Sequence, residues 1–313
     1  MTALLVEKAG PLSLLQDRGR FGRAALGLTT GGPMDPIAAG LANRLLQNDA
    51  DATLIEISLG GLELRAEGDL QLAVTGADAP LLRNDEPAAS WSVLDLDAGD
   101  RIAIGHPRRG CRSYLAVRGG FDIAPRFGST ATVLREGIGG LKGGALEAGD
   151  RLPVRTAARA ERRWIPEGAR PAYAASASLR VVLGYQHSAF PQQEQERFFS
   201  SAYRVSRLSD RMGYRLEGPA LSCDSPGMLS EGIAAGAIQV PPDGQPIILL
   251  NDRQTIGGYP KLGCVLSLDC AALAQLRPGD TVHFAPITTD TASRALRLAA
   301  VHERNRRIEP IAR

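Results

Sequence analysis

A mainly β fold with few helices, built as two related β-rich domains, is what this 313-residue sequence predicts. Short apolar runs of strand length recur throughout, separated by Gly-Asp, Asn-Asp and Pro-Gly punctuation, in a chain holding 35 glycines and 20 prolines. That pattern argues for barrels or sandwiches rather than alternating βαβ units. One motif also repeats: Leu96-Asp97-Ala98-Gly99-Asp100, Leu146-Glu147-Ala148-Gly149-Asp150 and Leu276-Arg277-Pro278-Gly279-Asp280 each precede an apolar run, as a turn feeding a strand does. A second echo links Asp17-Arg18-x-x-x-Gly22 with Asp210-Arg211-x-Gly213. Two echoes spread over both halves suggest an internal duplication.

In chain order, the expected strands are Leu4–Val6, Leu54–Ser58, Leu62–Leu64, Leu70–Val74, Arg101–Ile104 and Ser113–Val117, then Arg180–Leu183, Ala237–Val240, Ile247–Leu250, Cys264–Leu268 and Val282–Phe284. Met34–Leu46 reads as a helix, because Ile37, Leu41 and Leu45 recur at fourfold spacing behind Asp35, a favourable N-cap. Ala189–Ser200 and Ala271–Leu276 are shorter helical candidates, and Ala292–Arg307 is the expected terminal helix. The segment 156–178, rich in Ala, Arg, Pro and Ser without periodicity, reads as a linker. The expected domains are therefore residues 1–155 and 179–290, with a terminal helix and tail over 291–313.

Composition narrows function. Lys and Arg number 36 against 34 Asp and Glu, so a net charge of +2 offers no electrostatic case for nucleic acid. The locally basic run from Arg294 to Arg313 reads as a solvated helix or as a ligand-binding arm. No window approaches a membrane-spanning length of apolar residues, and the N-terminus lacks the pattern of a signal peptide. The cysteines (Cys111, Cys223, Cys264, Cys270) are too scattered for a CxxC site and suit reduced, mostly buried thiols, so a cytoplasmic protein is expected. The four histidines form no metal-ligand spacing, and neither a Gly-x-Ser-x-Gly elbow nor a P-loop is present. His187, on an expected loop, reads as a general base or as a satisfied histidine. The glycine-rich segment Gly137–Gly144 reads as a flexible loop or lid.

The densest polar cluster follows the apolar run Ile247–Leu250. After the turn at Asp243-Gly244, an acid, a base, an amide and a hydroxyl arrive at Asp252, Arg253, Gln254 and Thr255, followed by Gly257, Gly258 and Tyr259. Asp17, Arg20 and Asp35 lie in or beside a first polar-glycine cluster, and Asp210 and Arg211 in another. Arginine beside aspartate either grips a carboxylate or carbonyl-rich ligand with an oriented planar fork, or staples loops together. Neighbouring glycines can offer backbone N–H groups to a developing oxyanion.

These residues carry a resemblance. Gln16-Asp17-x-Gly19-Arg20-x-Gly22, Gly32-x-Met34-Asp35, Tyr114-Leu115-Ala116-Val117-x-Gly119-Gly120, Ser209-Asp210-Arg211-Met212-Gly213, Gly236-Ala237-Ile238-Gln239-Val240-Pro241 and Asp252-Arg253-Gln254-Thr255-x-Gly257-Gly258-Tyr259 occur in order. The series resembles the biotin-dependent carboxyltransferase family that includes the C subunit of bacterial 5-oxoprolinase, over about residues 4 to 285. Thr29-Thr30 departs from the Gly-Ala type of turn expected there, and Cys264 from a small apolar residue.

The resemblance implies two cyclophilin-like β-barrels and a multi-subunit enzyme. In it, a C-type chain works with two others, a directly bound B subunit plus the A subunit, to open 5-oxoproline to L-glutamate, ATP being used by the complex. It also leaves open the carboxyltransferase half of a urea or amide carboxylase, and a regulatory protein that binds a kinase-inhibitor-like homologue of the B subunit. No cofactor is expected on this chain alone; biotin enters only with the carboxylase alternative, and no Met-Lys-Met biotinylation site is present. With a small amide or lactam as substrate, Asp252, Arg253, Gln254 and Tyr259 are the expected catalytic residues. Arg211, Asp210, Thr255, Gly257, Gly258 and Gln239 are expected to bind it, while Asp17, Arg20 and Asp35 line the cleft or the interface with the B subunit. No metal site, nucleic-acid partner or membrane partner is expected.

Overall fold

The computed structural model describes residues 2–223 and 229–311; Arg313 of the basic run lies outside them. The chain forms two compact units: residues 2–21, 31–173 and 306–311 make unit 1, and residues 22–30 and 174–305 make unit 2.

In unit 1 the strands are β1 (Ala3–Ala9), β2 (Leu12–Gln16), β3 (Leu54–Ser58), β4 (Leu62–Glu67), β5 (Leu70–Asp78), β6 (Leu81–Arg83), β7 (Glu86–Pro87), β8 (Val93–Leu96), β9 (Arg101–Ile104), β10 (Arg109–Val117), β11 (Arg151–Pro153) and β12 (Arg163–Trp164). All but β12 assort into a six-stranded sheet, ordered β11-β1-β4-β9-β6-β7, and a five-stranded sheet, ordered β2-β3-β10-β5-β8. Alternation explains the layering. In β4 the inward Leu62, Leu64 and Ala66 are buried and the residues between them half-buried. They join Ile55, Ile57, Leu72, Leu115 and Val117 in one core. The opposite face of the five-stranded sheet, with Ala73, Tyr114 and Ala116, packs on helix α1 (Pro36–Leu45) through Leu41 and Leu45. Covered on both faces, β10 ends in an apolar run from Tyr114 to Val117.

The expected cap of α1 is present: Asp35 Oδ1 accepts from the amides of Ile37 and Ala38 at 3.2 and 3.0 Å. The segment 156–178 does not behave as a free linker. Ile165 is fully buried in the α1 cluster, the Ala160 amide donates to Gln71 Oε1 at 2.6 Å, and unit 1 runs to Tyr173.

In unit 2, β13 (Ser176–Leu183), β14 (Tyr203–Val205), β15 (Gly213–Glu217), β17 (Ala237–Gln239), β18 (Ile247–Leu249), β20 (Lys261–Val265) and β21 (Thr281–Pro286) close a seven-stranded barrel, β13-β20-β17-β18-β15-β14-β21. The parallel pair of β13 with β21 closes it. A small ribbon pairs β16 (Glu231–Gly232) with β19 (Ile256–Gly257). Helix α2 (Gln192–Ser200) stacks Phe198 on Phe284 of β21 at 4.2 Å between centroids. Helix α3 spans Ser267–Leu273 and α4 spans Thr289–Arg304. The expected strand Cys264–Leu268 therefore ends at Val265, and the helix expected over Ala271–Leu276 begins four residues earlier. Asp269 in its first turn receives the Arg180 amide at 2.7 Å and its guanidinium, which holds that turn against β13. After α4, β22 (Glu309–Pro310) pairs with β12 in unit 1.

The repeated Gly-Asp motif is one structural module used three times. Gly99, Gly149 and Gly279 adopt φ of 94, 92 and 93°, the left-handed region that glycine enters without strain. In each, the aspartate side chain accepts the amide three residues earlier: Asp97 at 2.9, Glu147 at 2.9 and Arg277 at 2.8 Å. The glycine amide meanwhile bonds a strand carbonyl, of Ala66, Val6 or Val205. The Gly137–Gly144 loop is packed rather than free: a side chain at Gly139 would lie 1.9 Å from the Ala131 carbonyl oxygen, and one at Gly143 2.2 Å from that of Gly137.

Candidate functional site

The sequence-selected residues divide by unit. In unit 1, Asp17 accepts from Ser129 Oγ (2.6 Å), the Thr130 amide (2.7 Å) and the Gly19 amide (2.9 Å). Arg20, 1% exposed, donates to the carbonyls of Arg126, Ser129 and Ala131 at 3.0, 3.4 and 3.0 Å. Asp35 caps α1 and accepts from Tyr173 Oη at 2.8 Å. A buried guanidinium that satisfies three carbonyls holds a loop, so Arg20 is a structural residue rather than a cleft residue. The Asp-Arg echo diverges here: Arg18 is exposed, whereas Arg211 is buried.

In unit 2, Arg211 and Asp252 form a bidentate pair, Nε to Oδ2 and Nη2 to Oδ1, both at 2.9 Å. Arg211 is 4% exposed, so its guanidinium braces the fold through the Asp252 carboxylate instead of facing a substrate carboxylate. Asp210 is exposed and closes the turn ahead of β15 by accepting from the amides of Met212 (2.8 Å) and Gly213 (3.2 Å). Arg253 donates to the carbonyls of Ile233 (3.0 Å) and Leu250 (3.2 Å), and burial pulls its guanidinium below the usual value. Thr29 Oγ1 donates to the Arg253 carbonyl at 3.2 Å, so the residue that departs from the family pattern anchors this loop. Gly258 and Tyr259, the latter 48% exposed, line a hollow of about 670 Å³.

The remaining selected residues converge on Gly257. A methyl group there would lie 2.9 Å from Gln239 Nε2 and 2.5 Å from Ile233 Cδ1, and at an ordinary contact distance of 3.5 Å from Gln254 Nε2, so glycine leaves the Gln239 amide its room. Thr255 holds the strand beside it, its carbonyl accepting from the Ile233 amide at 3.0 Å. Gln239 is 1% exposed, and its Nε2 has no hydrogen-bond partner among the described residues. Such a donor is costly to leave idle.

Sequence reading missed the charged partners. Gln239 pairs across the sheet with Lys261, and Gly257 with Glu231. Lys261 Nζ forms an ion pair with Glu231. Glu231 also accepts from Gln186 Nε2 at 2.6 Å and from Tyr185 Oη. Gln186 Oε1 in turn accepts the Lys261 amide at 2.8 Å. Tyr185, Gln186, Glu231 and Lys261 line a second hollow, of about 270 Å³, whose other walls include Ala234, Ala237 and Cys264. Burial raises the Cys264 thiol, with Arg253 opposing, so this sulfur is a neutral wall. The missed signal was the lone Lys261 two residues after Tyr259, in a stretch poor in lysine. Among the described residues no group of side chains could hold a metal ion, and no helix is long and apolar enough to cross a membrane.

Comparison with known proteins adds the decisive observation: residues 26–286 match the model of the carboxyltransferase domain, subdomain A and B. The chain belongs to this carboxyltransferase family. It is 38% identical over 293 residues to the C subunit of Escherichia coli 5-oxoprolinase, covering 93% of this chain and 94% of that one. It is 36% identical over 286 residues to the C subunit of Haemophilus influenzae 5-oxoprolinase, at 90% and 91% coverage. Among solved structures, the urea carboxylase of Kluyveromyces lactis superposes with a TM-score of 0.92 at 27% identity over 97% of this chain, which corresponds to 29% of that protein.

Proposed function

We propose that this carboxyltransferase-family chain is the C subunit of a 5-oxoprolinase. It would act with the A and B subunits to open 5-oxoproline to L-glutamate, with ATP used by the complex. One observation carries this reading: the match to two 5-oxoprolinase C subunits extends over about nine-tenths or more of both chains. The urea amidolyase of Lachancea kluyveri instead matches over 17% of its length. The site chemistry is compatible. A lactam needs donors for its carbonyl oxygen and a group to manage its N–H proton. Gln239 and Gln254 gather amide donors beside Gly257, and the neighbouring Lys261–Glu231 pair adds an ammonium.

The second reading, the carboxyltransferase half of a urea or amide carboxylase, is favoured by the 0.92 TM-score to urea carboxylase. In that case biotin would be carried by a partner. The deciding experiment measures glutamate release from 5-oxoproline and ATP with this chain and its cognate A and B subunits, omitting each in turn. Release that disappears without this chain supports the first reading. A stable complex that releases no glutamate, but carboxylates urea when a biotin carboxylase and carrier are added, supports the second.

A further inference from the structure

We infer that the 270 Å³ hollow beside Lys261 binds the acceptor oxygens, carbonyl or carboxylate, of the small amide substrate, with Lys261 as the binding residue and Glu231 as its positioning residue. The substrate class rests on the function proposed above; the site rests on the geometry of unit 2.

The first argument is donor excess. The Lys261 side chain is 12% exposed, its ammonium is paired with Glu231, and Nζ has no other hydrogen-bond partner among the described residues. An ammonium has three N–H bonds to place, so Glu231 leaves donors directed elsewhere. Gln239, its partner across the sheet, also has an unpartnered Nε2, although it lies behind the wall of the hollow rather than on it. The acceptor side is already occupied, because Glu231 receives Lys261, Gln186 and Tyr185. What the site lacks is an acceptor, and a lactam carbonyl or a carboxylate supplies one.

The second argument is construction. Glu231 aims the ammonium, and Gln186 locks both ends, bonding the Glu231 carboxylate with its nitrogen and the Lys261 amide with its oxygen. Lys261 sits on a barrel strand, which fixes its origin more tightly than a loop would. The small residues Ala234 and Ala237 leave room for a ligand along one apolar wall. The volume lies near the lower end of ligand pockets, about 300 Å³, and so suits a metabolite rather than a polymer.

The test compares wild type with Lys261→Met, Lys261→Arg and Glu231→Gln. Steady-state glutamate release is measured in the complete complex, and binding of 5-oxoproline, urea and acetate to the isolated full chain is followed by saturation-transfer NMR. The expected result is a KM for 5-oxoproline raised about 10- to 100-fold in Lys261→Met. The melting temperature should stay close to wild type, Lys261→Arg should recover part of the loss, and Glu231→Gln should show a smaller rise. An unchanged KM in Lys261→Met, with an active wild-type complex, overturns the inference. If the wild-type complex releases no glutamate, the function proposed above fails and the binding data decide this one: a probe that binds wild type but not Lys261→Met sustains the site, and equal binding or none overturns it.

Discussion

Arg211 and Asp252 meet through two parallel hydrogen bonds of 2.9 Å with both side chains almost wholly buried, while the Asp252 amide donates to the Arg211 carbonyl at 2.9 Å. Side chains and backbone thus tie the loop after β18 to the turn before β15. Breaking a buried pair from one side leaves an uncompensated charge, at a cost of about 3–5 kcal/mol. Asp252→Ala is expected to lower stability by that amount in urea unfolding. The double variant Arg211→Met, Asp252→Leu should recover most of the loss. A catalytic Asp252 would instead lose turnover with stability intact, so the two measurements separate the roles.

Gly257→Ala is expected to leave the fold nearly unchanged and to reduce turnover of the complex. Its methyl group would collide with Ile233 Cδ1 at 2.5 Å and Gln239 Nε2 at 2.9 Å. Both are ends of flexible side chains that can move, and moving them displaces the amides gathered there. A drop in kcat/KM of about tenfold or more, with a melting temperature near wild type, is the expected outcome.

The three turn aspartates should behave alike. Each of Asp100→Ala, Asp150→Ala and Asp280→Ala removes an acceptor from a turn amide, a loss comparable to that of a helix cap, about 1 kcal/mol. Asp150 also pairs with Lys142 at 2.6 Å, and Asp100 accepts from Arg83 and Asn84 at 2.8 and 2.6 Å, so both variants should shift the urea midpoint more than Asp280→Ala.

The Cys270 thiol is pushed up to about 12 from its ordinary 9.0, chiefly by burial, with Cys264 and Asp269 adding to the rise. A thiol whose folded pKa is raised supports the fold fully below its unfolded value. That support is lost as pH climbs from about 9 toward 12. Unfolding at pH 8 and pH 10.5 should show a loss of stability at the higher pH that Cys270→Ala diminishes. At pH 8 the thiol should also resist iodoacetamide until the chain is unfolded.

Local order was legible wherever it depends on neighbours in sequence. Alternation at Leu62, Leu64 and Ala66 marks a half-buried strand, Asp35 marks the start of α1, and Gly99, Gly149 and Gly279 mark turns because a positive φ excludes almost everything else. The family motifs were likewise visible as strings. The helix at Ser267 was misplaced because Leu266 and Leu268 continue an apolar run equally compatible with strand and helix; the contact of Asp269 with Arg180 on β13 holds its first turn.

What the sequence by itself determined is the mainly β class, the turn modules, the family and the cluster from Asp252 to Tyr259. The tertiary structure decided which of those polar residues face one another. Barrel closure joins Gln186 to Lys261 across 75 positions and to Glu231 across 45, and strand register sets Lys261 opposite Gln239. The same pairing buries Arg211 against Asp252 while the equivalent Arg18 stays exposed. Register and burial depend on strands distant in sequence, and a one-residue slip would turn each side chain to the other face. Residue type supplied the chemistry, and long-range pairing selected the residues that share a site.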